Sequence, residues 1–150
     1  ATTFLMMQQL QSLNFTGKTV FDFGTGTGIL AILAEKLGAQ KITAIDNDEW
    51  SFENAQENVE RNNCTKIDIQ LASVLPKQSF DLVLANINRN VILQYMPYLN
   101  ALVNTKGLLL LSGLLVDDKE EIVEACRQEG FLIINEAEKT NWISLLFKKE

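Results

Sequence analysis

The chain has 150 residues, 47% of them hydrophobic, which suits one domain with a full-sized core. Nineteen acidic residues against 13 basic ones give a net charge of −6, which argues against direct nucleic-acid binding as the main task and fits a basic protein partner. With no histidine and only two well-separated cysteines, Cys64 and Cys126, zinc sites and histidine-activated nucleophiles are excluded, and the thiols read as reduced packing residues of a cytoplasmic protein. No apolar run reaches the roughly eighteen residues of a membrane span.

In chain order, Phe4, Leu5, Leu10 and Leu13 predict a first helix over residues 2–13, with Thr2 or Thr3 as its N-cap. Gly17-Lys18 turns into a first strand, Thr19 to Phe23, whose β-branched and aromatic residues run straight into Gly24-Thr25-Gly26-Thr27-Gly28. An almost wholly apolar helix follows, from Gly28 to Leu37, stopped by Gly38. Strand, glycine turn and helix place backbone N–H groups and a helix N-terminus at the carboxyl edge of a sheet, where doubly wound folds bind nucleotides. A dinucleotide fingerprint needs a third glycine where Ile29 stands, and no Gly-Lys-Ser/Thr follows to make a phosphate loop of the Walker type.

Lys41 to Ile45 reads as the second strand, closed by Asp46, and Asp48 can cap a helix over residues 50–61. A third strand runs from Lys66 to Leu71, then a loop to Ser79. The fourth strand, Phe80 to Ala85, is apolar enough for burial on both faces and ends at Asn86-Ile87-Asn88. A helix over residues 91–103, interrupted near Pro97, leads through Lys106-Gly107 to a fifth strand, Leu108 to Ser112. Asp117 or Asp118 opens a helix to Gln128, with Ile122, Val123 and Cys126 facing inward. Two last strands, 131–137 and 142–147, lie close enough in sequence to form an antiparallel hairpin at the sheet edge. The alternation predicts an α/β fold, doubly wound, with a mostly parallel seven-stranded sheet, an antiparallel terminal hairpin and helices on both faces.

Two polar residues at strand ends carry the candidate chemistry. Asp46 ends the second strand about 20 residues after the glycine turn, where a carboxylate accepts the hydroxyls of an adenosine ribose. NAD would use the same carboxylate, so Asp46 does not by itself choose the cofactor. Asn86 ends the fourth strand and can offer its carbonyl oxygen to an amine, although a strand-ending turn residue would look the same.

An acidic residue two places before G-x-G-x-G, here Asp22 before Gly24, resembles the first motif of class I S-adenosylmethionine (SAM) methyltransferases, a Rossmann-like fold with an antiparallel last strand. Amine-directed members carry Asp/Asn-Pro-Pro-Tyr where this chain has Asn86-Ile87-Asn88-Arg89, so the stiff loop and its stacking aromatic are missing here. Together, Ala1-Thr2-Thr3, the stretch from Asp22 to Ile32, Ala44-Ile45-Asp46, Ala85-Asn86-Ile87 and Leu111-Ser112-Gly113-Leu114-Leu115 resemble the C-terminal catalytic domain of PrmA, the bacterial methyltransferases of a ribosomal stalk-base protein.

That resemblance covers the whole of residues 1–150. It implies SAM as cofactor and S-adenosylhomocysteine as product, with Thr3, Gly24, Asp46 and Asn86 as cofactor contacts beside Gly26 of the turn, and Asn86 also as the catalytic residue. The implied substrate is a basic ribosomal protein, methylated on lysine side chains and its N-terminal amine. It also implies that a substrate-recognition domain and a Gly-Thr-Gly-x-His stretch precede Ala1, so that the chain is one domain of a longer enzyme. Two other readings stay open: a methyltransferase for a small-molecule or RNA amine, with the acidic charge against RNA, and a SAM- or NAD-binding module without activity, with Ile29 against NAD.

Overall fold

The computed structural model describes residues 2–150. A helix α1 (Thr2–Leu10) precedes β1 (Thr19–Phe23), α2 (Ile29–Lys36), β2 (Lys41–Asp46), α3 (Glu49–Arg61), β3 (Ile67–Leu71), β4 (Phe80–Asn86), α4 (Arg89–Leu102), β5 (Val103–Leu115), α5 (Lys119–Gln128), β6 (Phe131–Lys139) and β7 (Trp142–Lys149). The seven strands form one sheet in the order β3-β2-β1-β4-β5-β7-β6. The first five are mutually parallel, and β7 runs antiparallel between β5 and β6. The expected doubly wound sheet with its terminal hairpin is therefore present.

Alternation along each strand divides the core into two layers. Leu82 and Leu84 of β4 point to the face covered by α1, α2 and α3, through Met6, Leu10, Leu30, Ala31, Ala34, Ala55 and Val59. Val83 and Ala85 point to the other face, where Ile92, Met96 and Leu99 of α4 and Ile122 and Cys126 of α5 cover the sheet. The inward placing of Ile122 and Cys126 agrees with the sequence, while Val123 is only partly buried. Both cysteines are free.

Several boundaries differ from expectation. Pro97 does not interrupt α4, which starts at Arg89 rather than Val91. Its ring lies on the exposed side, and burial of Ile92, Met96, Leu99 and Leu102 on the sheet outweighs the one hydrogen bond that a proline removes. Val103 belongs to β5, not to the helix, because it pairs with Phe80. The Lys106-Gly107 turn is real but sits inside the strand: pairing jumps from Phe80–Val103 to Leu82–Leu108, and Lys106 takes a left-handed φ of 69°. Thr2 and Thr3 lie in the first turn of α1 rather than capping it, and Ala1 lies outside the described residues. The hairpin between β6 and β7 closes through Thr140 and Asn141, both left-handed at φ 48° and 68°, as a two-residue turn of the primed type requires. Among the described residues no helix is long and apolar enough to cross a membrane.

Candidate active site

Strand order reverses between β1 and β4, so the helices that follow them leave toward opposite faces and open a crevice at their carboxyl ends. Gly24 and Asn86 stand at those two ends. The glycine turn is strapped to the neighbouring strand, since the Gly24 and Thr25 amides both donate to the Ile45 carbonyl, at 3.0 and 2.9 Å.

Asp46 at the end of β2 does more than face the crevice. Its Oδ2 accepts the Gly26 amide at 2.9 Å and its Oδ1 accepts the Asp48 amide at 3.0 Å. Each carboxylate oxygen keeps a second lone pair, so bracing the turn and accepting ribose hydroxyls are compatible. Asp48 caps α3 as the sequence suggests, accepting from the Ser51 amide at 2.9 Å. Gly26 has φ +58°, and a Cβ built there meets no atom within 4 Å. At Gly24, with φ +76°, the same Cβ would come within 3.1 Å of Ile87 Cγ2.

Beneath the turn lies Asp22, 1% exposed, its Oδ2 accepting the Thr25 hydroxyl at 2.7 Å. Burial pushes its carboxyl up to about 6; the Thr25 bond opposes this and the negative charge of Asp46 adds to it. The sequence identified Asp22 only as a motif letter. Its side chain lies on the sheet face of buried Val20, opposite Phe21 and Phe23.

Two cavities flank the crevice. One, of about 210 Å³, is lined by Phe23, Gly24, Asp46, Ala72, Ile87 and Tyr95, among others. Tyr95 stands edge-on to Phe23 with ring centroids 5.0 Å apart, which gives this cavity an aromatic wall. The other, about 370 Å³, is lined by Thr2, Asn86, Ile87, Asn88, Gly113 and Trp142, with no ionisable side chain among them. Ile87 is common to both.

Asn86 is brought against α1: its Nδ2 donates to Thr3 Oγ1 at 3.3 Å. That bond turns the amide so that Oδ1 is left free to accept. Thr3, Gly24, Gly26, Asp46 and Asn86 therefore converge on one crevice although they come from four parts of the chain. Asn88 is the N-cap of α4, its Oδ1 accepting the Val91 amide at 3.0 Å. Arg89 is held by Glu121 and turned away into that pair.

Two further residues were invisible as site residues. Gly113, at φ +84°, lies on an irregular stretch of β5 between Leu111 and Leu114, and a Cβ there would fall 2.5 Å from the Ile87 carbonyl oxygen. The backbone of β5 thus presses directly on the Asn86–Ile87 segment and fixes it. Trp142, first residue of β7, supplies the aromatic surface that the Asn86–Arg89 loop lacks. The only sequence signal for its position was the short hairpin, which returns the chain to β5 at Leu115.

A family model described as ribosomal protein L11 methyltransferase (PrmA) matches residues 1–150. A protein of that name from Porphyromonas gingivalis is 42% identical over 149 residues, covering 97% of this chain and 51% of the relative. Its counterpart from Bacteroides fragilis is 40% identical, covering 97% and 53%. The chain thus spans about half the length of these relatives. The crystal structure of a ribosomal protein L11 methylase from Lactobacillus delbrueckii subsp. bulgaricus superposes with a TM-score of 0.93 at 34% identity, over 99% of this chain and 79% of that one. A putative RNA methyltransferase from Pyrococcus horikoshii shares the fold at TM-score 0.79 but only 16% identity, over 96% and 83% of the two chains. The fold therefore does not choose the substrate. Sequence matches along the full chain do settle the lineage: the protein belongs to the ribosomal protein L11 methyltransferase (PrmA) family.

Proposed function

We propose that residues 1–150 form the catalytic domain of a SAM-dependent protein N-methyltransferase acting on lysine and N-terminal amines of ribosomal protein L11, with recognition of that protein supplied by a separate domain. The observation that carries this reading is the convergence of Asp46, the Gly24–Gly26 turn, Thr3 and Asn86 on a crevice flanked by two cavities that share Ile87.

The residues present fit SAM. Space above Gly26, where a Cβ meets nothing, admits a ligand against the backbone, and the free lone pairs of Asp46 suit two vicinal ribose hydroxyls. Phe23, Ala72, Ile87 and Tyr95 give adenine an apolar lining. Thr3, Gly24, Gly26, Asp46 and Asn86 are the proposed cofactor contacts, with Asn86 also catalytic. When bound, SAM would supply an electrophilic methyl group for in-line displacement.

What the chain contributes is alignment and desolvation. The incoming amine must be neutral, and a lysine in water has a pKa of about 10.4. The Asn86 cavity carries no ionisable lining residue, so a lysine amine seated there gains no counter-charge that would hold its proton. Asn86 Oδ1 then accepts one amine N–H and directs the nitrogen lone pair, while Thr3 holds the amide from the other side. Trp142 offers an apolar wall to the lysine stem and a π-face to methylated ammonium products. No general base lines the cavity, so the amine proton leaves to solvent before transfer.

Calorimetric titration with SAM and with NAD tests the cofactor assignment. SAM should bind and NAD should not; NAD binding alone would overturn the reading.

A further inference from the structure

One buried polar pair on α1 is not accounted for by the site itself. Gln9 is 4% exposed on the inward face of the helix, and Ser144 of β7 is fully buried. Gln9 Nε2 donates to Ser144 Oγ at 2.6 Å, while Gln9 Oε1 has no partner among the described residues. Turning the amide over only exchanges the unpaired atom, because the serine hydroxyl offers one contact. Around the pair lie Met6, Leu10 and Leu146, so an apolar replacement of both members would suit the packing better than the pair does.

What the pair supplies is register. α1 has nine residues, too few to be stable alone, and it seats on the sheet through Leu5, Met6 and Leu10. An apolar face of that size tolerates sliding or part-turn rotation at little cost in buried area, whereas one buried hydrogen bond does not. Among the described residues, the other two hydrogen bonds that join α1 to the sheet are long, Asn86 Nδ2 to Thr3 Oγ1 at 3.3 Å and Ser112 Oγ to the Thr2 carbonyl at 3.4 Å, and the Lys139 ammonium over the Phe4 ring belongs to an exposed side-chain pair. Contacts near the distance limit follow the helix rather than fix it.

We propose that Gln9 and Ser144 are positioning residues, whose hydrogen bond sets the register of α1 and thereby holds Thr3 against Asn86 at the cofactor site. The inference rests on the assignment of Thr3 and Asn86 to that site.

The test uses Ser144→Ala, the double variant Gln9→Leu/Ser144→Ala, and both again in a Thr3→Ala background, each followed by thermal melting and SAM titration. Ser144→Ala should melt below the parent, because the whole Gln9 amide is then unpaired. The double variant should melt at or above the parent and still bind SAM about tenfold more weakly, equivalent to about 1.4 kcal/mol. In the Thr3→Ala background the double variant should cost no further affinity, since both act through one contact. A double variant that binds SAM like the parent, or whose loss adds fully to that of Thr3→Ala, overturns this inference alone. A parent chain with no affinity for SAM overturns the cofactor reading and this inference with it.

Discussion

Gly26→Ala separates the cofactor assignment from the stability of the fold. At φ +58° an alanine is left-handed, which costs about 1–2 kcal/mol. Loss of glycine's freedom in the unfolded chain offsets about 0.4–1 kcal/mol of that. No protein atom lies within 4 Å of the added Cβ, so no clash adds to the cost. The net loss of about 1 kcal/mol should lower Tm by about 2–4 °C in a chain of this size. The methyl group projects into the space proposed for SAM, where overpacking costs about 1–3 kcal/mol. Calorimetric titration should therefore show SAM affinity reduced about 5- to 150-fold in a protein that remains folded. Parental affinity in Gly26→Ala would remove this turn from the cofactor site.

Asp46→Ala deletes the acceptor for the Gly26 and Asp48 amides and the proposed acceptor for the ribose; a titration should show SAM binding weakened by about 2–3 kcal/mol, and a loss below twofold would contradict the role. Asn86→Ala should lower kcat about 100-fold through misplacement of the amine, with a smaller effect on SAM affinity; the reverse pattern in steady-state kinetics would make Asn86 a cofactor ligand only. Gly113→Ala must displace the Ile87 backbone 2.5 Å away, so differential scanning calorimetry should show Tm lowered by about 5–15 °C, and methyl transfer should fall with it. Asp22 tests the buried carboxyl: with its pKa raised from 3.8 to about 6, it favours the folded state fully below about pH 4 and loses that contribution, about 3 kcal/mol, as pH rises through about 6. Asp22→Asn keeps an acceptor for Thr25 without that loss, so its Tm advantage over the parent should grow between pH 4 and pH 7, and a constant difference would mean that Asp22 is not raised.

Strand periodicity and the glycine turn made the sheet and most of its helices legible, because they are local signals with a fixed physical cause. The placing of Asp46 and Asn86 at strand ends was legible for the same reason, since both close strands that the apolar pattern delimits. Pro97 misled, because proline's local preference for ending a helix is outweighed by four buried side chains spaced along α4, a tertiary effect. The place of Trp142 and Gly113 beside the candidate site was not legible. Their relation to Ile87 and Asn86 depends on the return of β7 beside β5 and on an irregularity within β5, neither of which has a one-dimensional signature. The brace that Asp46 gives the glycine turn likewise has no local signature: its bond to Gly26 spans twenty residues of sequence and two strands.

The central claim is methyl transfer to a protein amine. Its most direct test is intact-mass and peptide mass spectrometry of ribosomal protein L11 after incubation with SAM and an excess of this chain at high concentration, which replaces the effective concentration of order mM that the proposed separate recognition domain would supply. Methyl increments on lysine side chains and the N-terminal amine, absent with Asn86→Ala, are the predicted result. An unmodified protein in the presence of a chain that binds SAM would contradict the assignment of that substrate to this active site.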